Sequence, residues 1–271
     1  MFSLLELLVS PAMATGTNKG LLHSILHLAP PEDISEHGHL IDWLFNYTTN
    51  LNILFLVLLL VCLFGFPFLY SRRKNPKPYY TYGNKKKQII FVTLIGVAVF
   101  LFIDLNITRI SNDDYINVFM NFPDKDEDVE KVEVLAQQWM WSFRYAGQDG
   151  KFNTDDDVIT INDLRVPTGK KIVFQMISKD VIHSFFLPNT RRKVDAIPGR
   201  ITRMWVNVNK PGVYDIACAE MCGTYHYRMQ AKMTVYDPQE YNNWLVEAQK
   251  KSSEQKEILT ADMFWGWKWN Y

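Results

Sequence analysis

No charge of either sign dominates this chain. Its 29 Lys and Arg balance 29 Asp and Glu over 271 residues, so no global field gathers nucleic acid or an anionic surface. Cysteine is scarce, at three, which excludes a disulfide-stapled scaffold. No CxxCH motif occurs, so the chain carries no covalently attached c-type haem of its own. There is no internal repeat. Apolar residues, by contrast, are plentiful: 48% of the chain is hydrophobic and 14% aromatic, enough to bury a core and too much for disorder. The mean hydropathy of -0.12 hides this, because an average cannot register apolar residues that are gathered in a few places.

Two such places stand out. Positions 51–70 hold a run in which Asn52 is the strongly polar exception, and its length meets the ~20 residues that a helix needs to cross hydrocarbon. A second run from Ile89 to Ile103 is shorter, but Gln88 and Asp104 can sit in the interfaces and extend it. Tyr47 before the first run, and Tyr79, Tyr80 and Tyr82 between the two, suit an aromatic belt. Cys62, midway along the first run, reads as packing. The stretch between the runs carries Arg72, Arg73, Lys74, Lys77, Lys85, Lys86 and Lys87 and no acid, which places it in the cytoplasm. Both termini then lie outside, and everything from about Ile107 onward forms an external domain on a two-helix membrane hairpin.

The first forty residues read as an external segment. Ala12-Met13-Ala14 resembles a signal-peptidase site, but no basic residue precedes the apolar run and Glu6 interrupts it, which argues against cleavage. His23 and His27 fall one helical turn apart and His37 and His39 flank a glycine, but no Cys accompanies them, and they read as solvated.

After a charged linker at 124–133, period-two alternation takes over at 132–145, 158–162, 171–178, 201–208, 213–219 and 230–237. Turn signals at Pro167-Thr168-Gly169 and Lys210-Pro211-Gly212 separate these segments. With no helix-period segment between them, an antiparallel β-sandwich is favoured over a βαβ fold. A helix is expected from Pro238 to Gln249, with Asp237 as its N-cap.

The chemistry-bearing residues lie between the last two alternating segments. Cys218, Cys222, His226 and Met229 offer two thiolates, an imidazole and a thioether within twelve residues, on a loop whose ends adjacent strands hold. Thiolate and thioether are soft donors, and the set suits copper better than a hard cation. A single-copper electron-transfer site needs one Cys, so the second is informative: two thiolates can each bridge two coppers and spread a transferred electron over both. The second imidazole has one source in the external domain, His183. A disulfide between the two cysteines and a structural Cys2His2 zinc site are the competing readings, and the zinc site gives Met229 no role. The chain has no nucleophile or general base arranged for bond making, and the activity it points to is outer-sphere electron transfer.

The patterns CxExCGxxHxxM at 218–229 and DVxHSFxxP at 180–188, with Trp139 to Tyr145 and Asp195 to Arg200, resemble cytochrome c oxidase subunit II over about 50–250. The resemblance implies a two-helix transmembrane hairpin plus an all-β cupredoxin-like Greek-key sandwich. It divides the chain into 1–40, the hairpin at 41–106, the copper domain at 107–236 and a helix with aromatic tail at 237–271. It also implies a dinuclear copper (CuA) centre that accepts electrons from cytochrome c, or a cytochrome c domain, and passes them to haem in subunit I. Haems and CuB would belong to the partner subunit, and subunit III, membrane lipid and the cell inner (plasma) membrane complete the setting, with the copper domain on the periplasmic side and no nucleic acid involved. By position, Cys218 and Cys222 are implied as bridging thiolates and His183 and His226 as terminal imidazoles. Met229 is implied as the weak axial ligand of one copper and the Glu220 carbonyl as that of the other. The Glu220 side chain is implied at a magnesium on the boundary with subunit I, and Trp139 as the aromatic that receives the electron. A nitric oxide reductase partner and a membrane-anchored zinc- or copper-binding assembly module are the alternatives.

Departures from the family pattern are equally specific. The family's glutamate at the start of the second helix is missing, with Gln88 or Ile89 near its place, which puts proton uptake through this subunit in doubt. Arg144 and Lys179 stand where relatives often carry an acid facing a basic donor. Asp149, Asp155, Asp156 and Asp157 form a substitute acidic patch, or else a solvated loop or weak cation site. The tail from Met263 to Tyr271 is dense enough in aromatics to pack on another subunit.

Overall fold

Among the described residues, two long helices, a shorter helix at Pro238–Gln255 and ten strands fall into two units, one formed by 40–121 and the other by 30–39 with 122 onward. The computed structural model describes residues 30–77, 80–123, 128–147, 149–154 and 156–255. The N-terminal segment with Met13, His23 and His27, the tail from Met263 to Tyr271, and Tyr79 and Asp155 lie outside the described residues.

Helix α1, Gly38–Leu69, starts well before the apolar run, because 38–50 still offers helix formers and Thr48 returns its hydroxyl to the Leu44 and Phe45 carbonyls. Helix α2, Lys86–Phe119, passes through two π-turns at Phe100–Asp104 and Tyr115–Phe119 and runs beyond the expected end near Ile107. The polar stretch 105–114 remains helical because Ile103, Asn106, Ile107, Ile110 and Asp114, its less exposed residues, share one face at helical spacing. Both helices are long and apolar enough to cross a membrane, with peak hydropathies of 2.6 and 2.5 and none of either window buried by protein.

The second unit is a β-sandwich. Strands β1 (Val129–Gln137), β2 (Met140–Tyr145), β3 (Val158–Ile161), β5 (Lys171–Ser178) and β8 (Thr202–Asn207) form one sheet in the order β3-β2-β1-β5-β8. Strands β4 (Asp163–Pro167), β6 (His183–Leu187), β7 (Arg192–Ala196), β9 (Gly212–Cys218) and β10 (Gln230–Tyr236) form the other, β4-β10-β9-β6-β7. Pairing is antiparallel except for β1 with β5 and β10 with β4. The alternating segment 132–145 is two strands rather than one, folded back at Gln138 and Trp139. Three strands were not legible in the alternation, β4, β6 and β7, since their short runs are interrupted by charge or by residues buried on both faces.

The core lies between the sheets. Trp141, Phe143 and Phe174 from one sheet meet Phe185 from the other, with Trp141 and Phe174 ring centroids at 5.2 and 5.4 Å from it. Helix α3, Pro238–Gln255, lays Tyr241, Trp244, Leu245 and Ala248 on this core at helical spacing and runs past the expected end at Gln249. Its first helical bond goes from the Tyr241 N–H to the Asp237 carbonyl.

Residues 30–39, ahead of α1, are sewn onto the β8 edge and its neighbours. The Glu36 N–H donates to the Asn207 carbonyl, the Asn209 N–H to the Ile34 carbonyl and the Ile34 N–H to the Asn189 carbonyl. Ile34 is buried in the core, His37 meets the Trp205 ring edge-on at 5.5 Å, and Lys210 pairs with Glu32.

Arg144 does not face outward. It is 4% exposed, on the β2 face opposite Trp141, and pairs with fully buried Glu133 through Nε and Nη2. Its Nη1 donates to Asn153 at 2.8 Å, and Asp157 stands 3.7 Å from Nε. The acidic loop is consequently turned in on itself: Asp157 accepts from the Asn153 N–H, and Asp156 and Asp149 accept from Thr154. Arg144 and Asp157 therefore serve the domain's interior rather than a partner's surface.

Candidate metal centre

Strand alternation sets the site. In β9, Ile216 and Cys218 point into the core, and Cys218 is the last residue of the strand. In β6, His183, Phe185 and Leu187 point the same way, and His183 is the first residue. Phe185 pairs with Cys218, so the imidazole and the thiol meet at one end of the same sheet. The loop between β9 and β10 is closed at its neck by the Cys218 N–H donating to the Met229 carbonyl at 3.1 Å. A 3-10 turn at His226–Arg228 brings His226 and Met229 back toward the strands.

Five donor side chains converge. Cys218 Sγ and Cys222 Sγ lie 3.8 Å apart, well beyond the about 2.05 Å of a disulfide, and both thiols are free. His183 Nδ1 is 3.1 Å from Met229 Sδ and 3.9 Å from Cys218 Sγ. His226 Nδ1 is 3.5 Å from Cys222 Sγ, and Met229 Sδ is 3.7 Å from it. The ligand atoms of His183, Cys218 and Cys222 all fall within 4.8 Å of one another and are buried. The Glu220 carbonyl approaches Cys218 Sγ at 3.3 Å while its residue is exposed. All the sequence-predicted ligands are thus gathered at one point.

Electrostatics separate the two thiols. Burial disfavours ionisation of Cys218, but hydrogen bonds with His183 and the Ser184 and Glu220 backbone overcome it and hold the thiol down to about 6. Burial, and then the neighbouring Cys218, push Cys222 up to about 12. Burial works against protonation of His183, but Cys218 and Asp180 outweigh it and raise the imidazole. Without a cation the pair releases one proton readily and keeps the other. A cation between the sulfurs would draw off both.

Trp139 sits in the β1–β2 turn, half-buried, with its ring edge-on to Tyr225 at 4.8 Å. The alternation places Trp141, Phe143 and Tyr145 fully in the core, whereas Trp139 packs against the metal loop. Gly223 makes room for it: a Cβ there would stand 3.0 Å from Gln138 Nε2 and 3.3 Å from the Trp139 ring, and its φ of +116° is one that side chains avoid. The sequence reading missed Gly223, Gln138 and Asp180. Gln138 Nε2 donates to the Cys222 carbonyl at 2.7 Å, and Asp180 Oδ1 lies 2.8 Å from His183 Nε2. Asp180 could have been found from its place three residues before a ligand histidine; Gln138 carries no signal beyond its adjacency to Trp139.

The donor set fits a soft metal. A structural zinc takes four ligands, and here a fifth, Met229 Sδ, is 2% exposed and directed at the other donors. Thiolate, imidazole and thioether together match copper.

Residues 131–235 match the family model described as cytochrome c oxidase subunit II, periplasmic domain. The alternative cytochrome c oxidase subunit 2 of Bradyrhizobium diazoefficiens is 37% identical over 155 residues, which cover 49% of this chain and 56% of that one. The cytochrome c oxidase subunit 2 of Alkalihalophilus pseudofirmus is 28% identical over 229 residues, 80% of this chain and 62% of that one. The matches thus span less than two thirds of either relative's length. The crystal structure of the periplasmic domain of subunit II of cytochrome oxidase (CoxB) of Bradyrhizobium japonicum covers 48% of this chain and 97% of its own at 29% identity, with a TM-score of 0.41.

Proposed function

We propose, from the match of residues 131–235 to the family model of the cytochrome c oxidase subunit II periplasmic domain, that this chain is the electron-accepting subunit of a membrane-bound haem-copper oxidase. It takes electrons from cytochrome c at a dinuclear copper centre and passes them to haem in subunit I, where oxygen is reduced to water and protons are pumped. The observation that carries this reading is the convergence of two free buried thiols with His183, His226 and Met229 on one loop and its neighbouring strand end.

Cys218 and Cys222 would hold the copper pair with their thiolates, His183 and His226 with their imidazoles, Met229 with its thioether and Glu220 with its backbone carbonyl. When bound, the copper pair supplies one-electron acceptance and release without bond making. The chain's own contribution is to fix His183 and Cys218 on strand ends and to close the loop that carries the other donors at its neck, so that the donors move little on reduction. Trp139, at the edge of the loop, would be the aromatic through which the electron arrives. The exposed Glu220 carboxylate would reach a magnesium at the subunit I boundary. Helices α1 and α2 would anchor the chain in the inner membrane with 71–85 in the cytoplasm and the β-domain on the periplasmic side.

The test is to purify the complex through this chain and measure copper, haem content, and oxygen uptake against nitric oxide consumption. Two coppers per chain, a mixed-valence thiolate band and oxygen uptake are expected. Zinc at the site or a joined Cys218–Cys222 pair would end the reading, and nitric oxide consumption would change the partner. Met229→Leu, a volume-conserving change at a buried site, should keep copper while shifting its potential, whereas Cys218→Ser should abolish the dinuclear centre; metal analysis and redox titration distinguish the two.

A further inference from the structure

Two sides of the metal site meet on one carboxylate outside the ligand set. Asp180 lies between β5 and β6. Its Oδ2 accepts the backbone N–H of Gln138 at 2.7 Å, and its Oδ1 accepts the Val181 N–H at 2.6 Å and lies 2.8 Å from His183 Nε2. An ionised carboxylate only accepts, so the ring nitrogen that faces it must carry the hydrogen. That leaves Nδ1 bare, and Nδ1 is the nitrogen turned toward Met229 Sδ and Cys218 Sγ. A metal binds the bare nitrogen, so the tautomer that Asp180 selects is the one that coordination requires.

The second bond reaches further. Gln138 immediately precedes Trp139, is 42 residues from Asp180, and sends its own side chain to the Cys222 carbonyl. The Ser178 hydroxyl caps the Asp180 turn locally by donating to the Val181 carbonyl. A residue that only shaped this turn would have no use for the Gln138 amide.

We infer that Asp180 is the positioning residue of this centre, fixing the His183 tautomer with one oxygen and holding the Trp139 turn against the metal loop with the other, while Gln138 braces that turn on Cys222. The consequence for copper rests on the function proposed above; the geometry does not. A negative charge behind the imidazole also strengthens its donation and favours the more highly charged metal state, so the carboxylate holds the midpoint potential down.

The experiment uses the full chain in detergent, labelled with 15N-histidine. In the copper-free parent, under conditions where the ring is neutral, His183 should carry its hydrogen on Nε2 with Nδ1 bare; hydrogen on Nδ1 overturns the inference without any variant having to fold. In the copper-free chain Asp180→Asn should mix the His183 tautomers, and in the copper-loaded chain it should keep two coppers but raise the midpoint potential, with Asp180→Glu restoring the parent potential at least in part. An unchanged potential with an unchanged tautomer in Asp180→Asn would also overturn it. A parent that binds no copper yet shows the Nε2–H tautomer supports the positioning role and defeats the copper reading instead.

Discussion

Glu133 and Arg144 are the residues that the sequence misassigned most instructively. Alternation marks the β2 face of Trp141, Phe143 and Tyr145 as core and so sends Arg144 outward, yet the opposite face is also covered, and Ser142 and Arg144 are buried there. A buried ion pair contributes little net stability, but breaking one strands the other charge. Arg144→Met should therefore cost about 3–5 kcal/mol in denaturant unfolding, with much of the loss recovered when Glu133→Leu is added. The pair also sets a pH dependence. Burial pushes Glu133 up to about 7 against the opposing pull of Arg144. With the folded value above the ordinary 4.5, the folded chain holds this proton more tightly than the unfolded chain does, so the carboxyl's contribution is largest at acid pH. The stability of the parent minus that of Glu133→Gln should fall as pH rises from about 4.5 to about 7 and then level off, read from urea unfolding across the range. At this same scale the proposed ligand residues stood out in the sequence as soft donors at tight spacing, and their side chains converge, whereas Gln138 and Gly223 did not stand out, because their contacts exist only once β2 folds back beside the loop.

Among the elements, the strap at 30–39 carries a consequence that its sequence did not advertise. Period-two alternation identified six segments because each has one apolar and one polar face, but 30–39 has a single deeply inserted anchor, Ile34, with backbone bonds to Asn189, Asn207 and Asn209 and polar or edge contacts from Glu32, Glu36 and His37 around it. Backbone bonding is blind to side-chain pattern, so such a segment leaves no trace in hydropathy. Ile34→Ala should destabilise the β-unit by about 2–5 kcal/mol, the usual range for emptying a buried isoleucine site, and the shift in urea midpoint measures it. β4, β6 and β7 escaped for a different reason: in five residues each, charge or burial on both faces interrupts the alternation. The two long helices were easy to place but not to bound, since polar residues flank the apolar runs in both and the helix continues through them.

For the whole molecule, the basic stretch between α1 and α2 gives orientation. Placing it in the cytoplasm predicts that a single cysteine introduced at Ser71, in a chain with Cys62, Cys218 and Cys222 all replaced, reacts with a membrane-impermeant maleimide in inverted vesicles and not in intact cells; the reverse pattern would invert the proposed topology. The β-unit raises a different matter, that of assembly order. Strand β10 lies between β4 and β9, which makes the last strand among the described residues the keystone of its sheet. Until residues 230–236 arrive, β4 and β9 are two open edges and the loop with Cys218, Cys222, His226 and Met229 dangles from one end. Under the function proposed above, the cradle for copper is complete only once β10 has paired, so metal loading would follow that pairing, and a product cut short before residue 230 would offer thiols but no cradle.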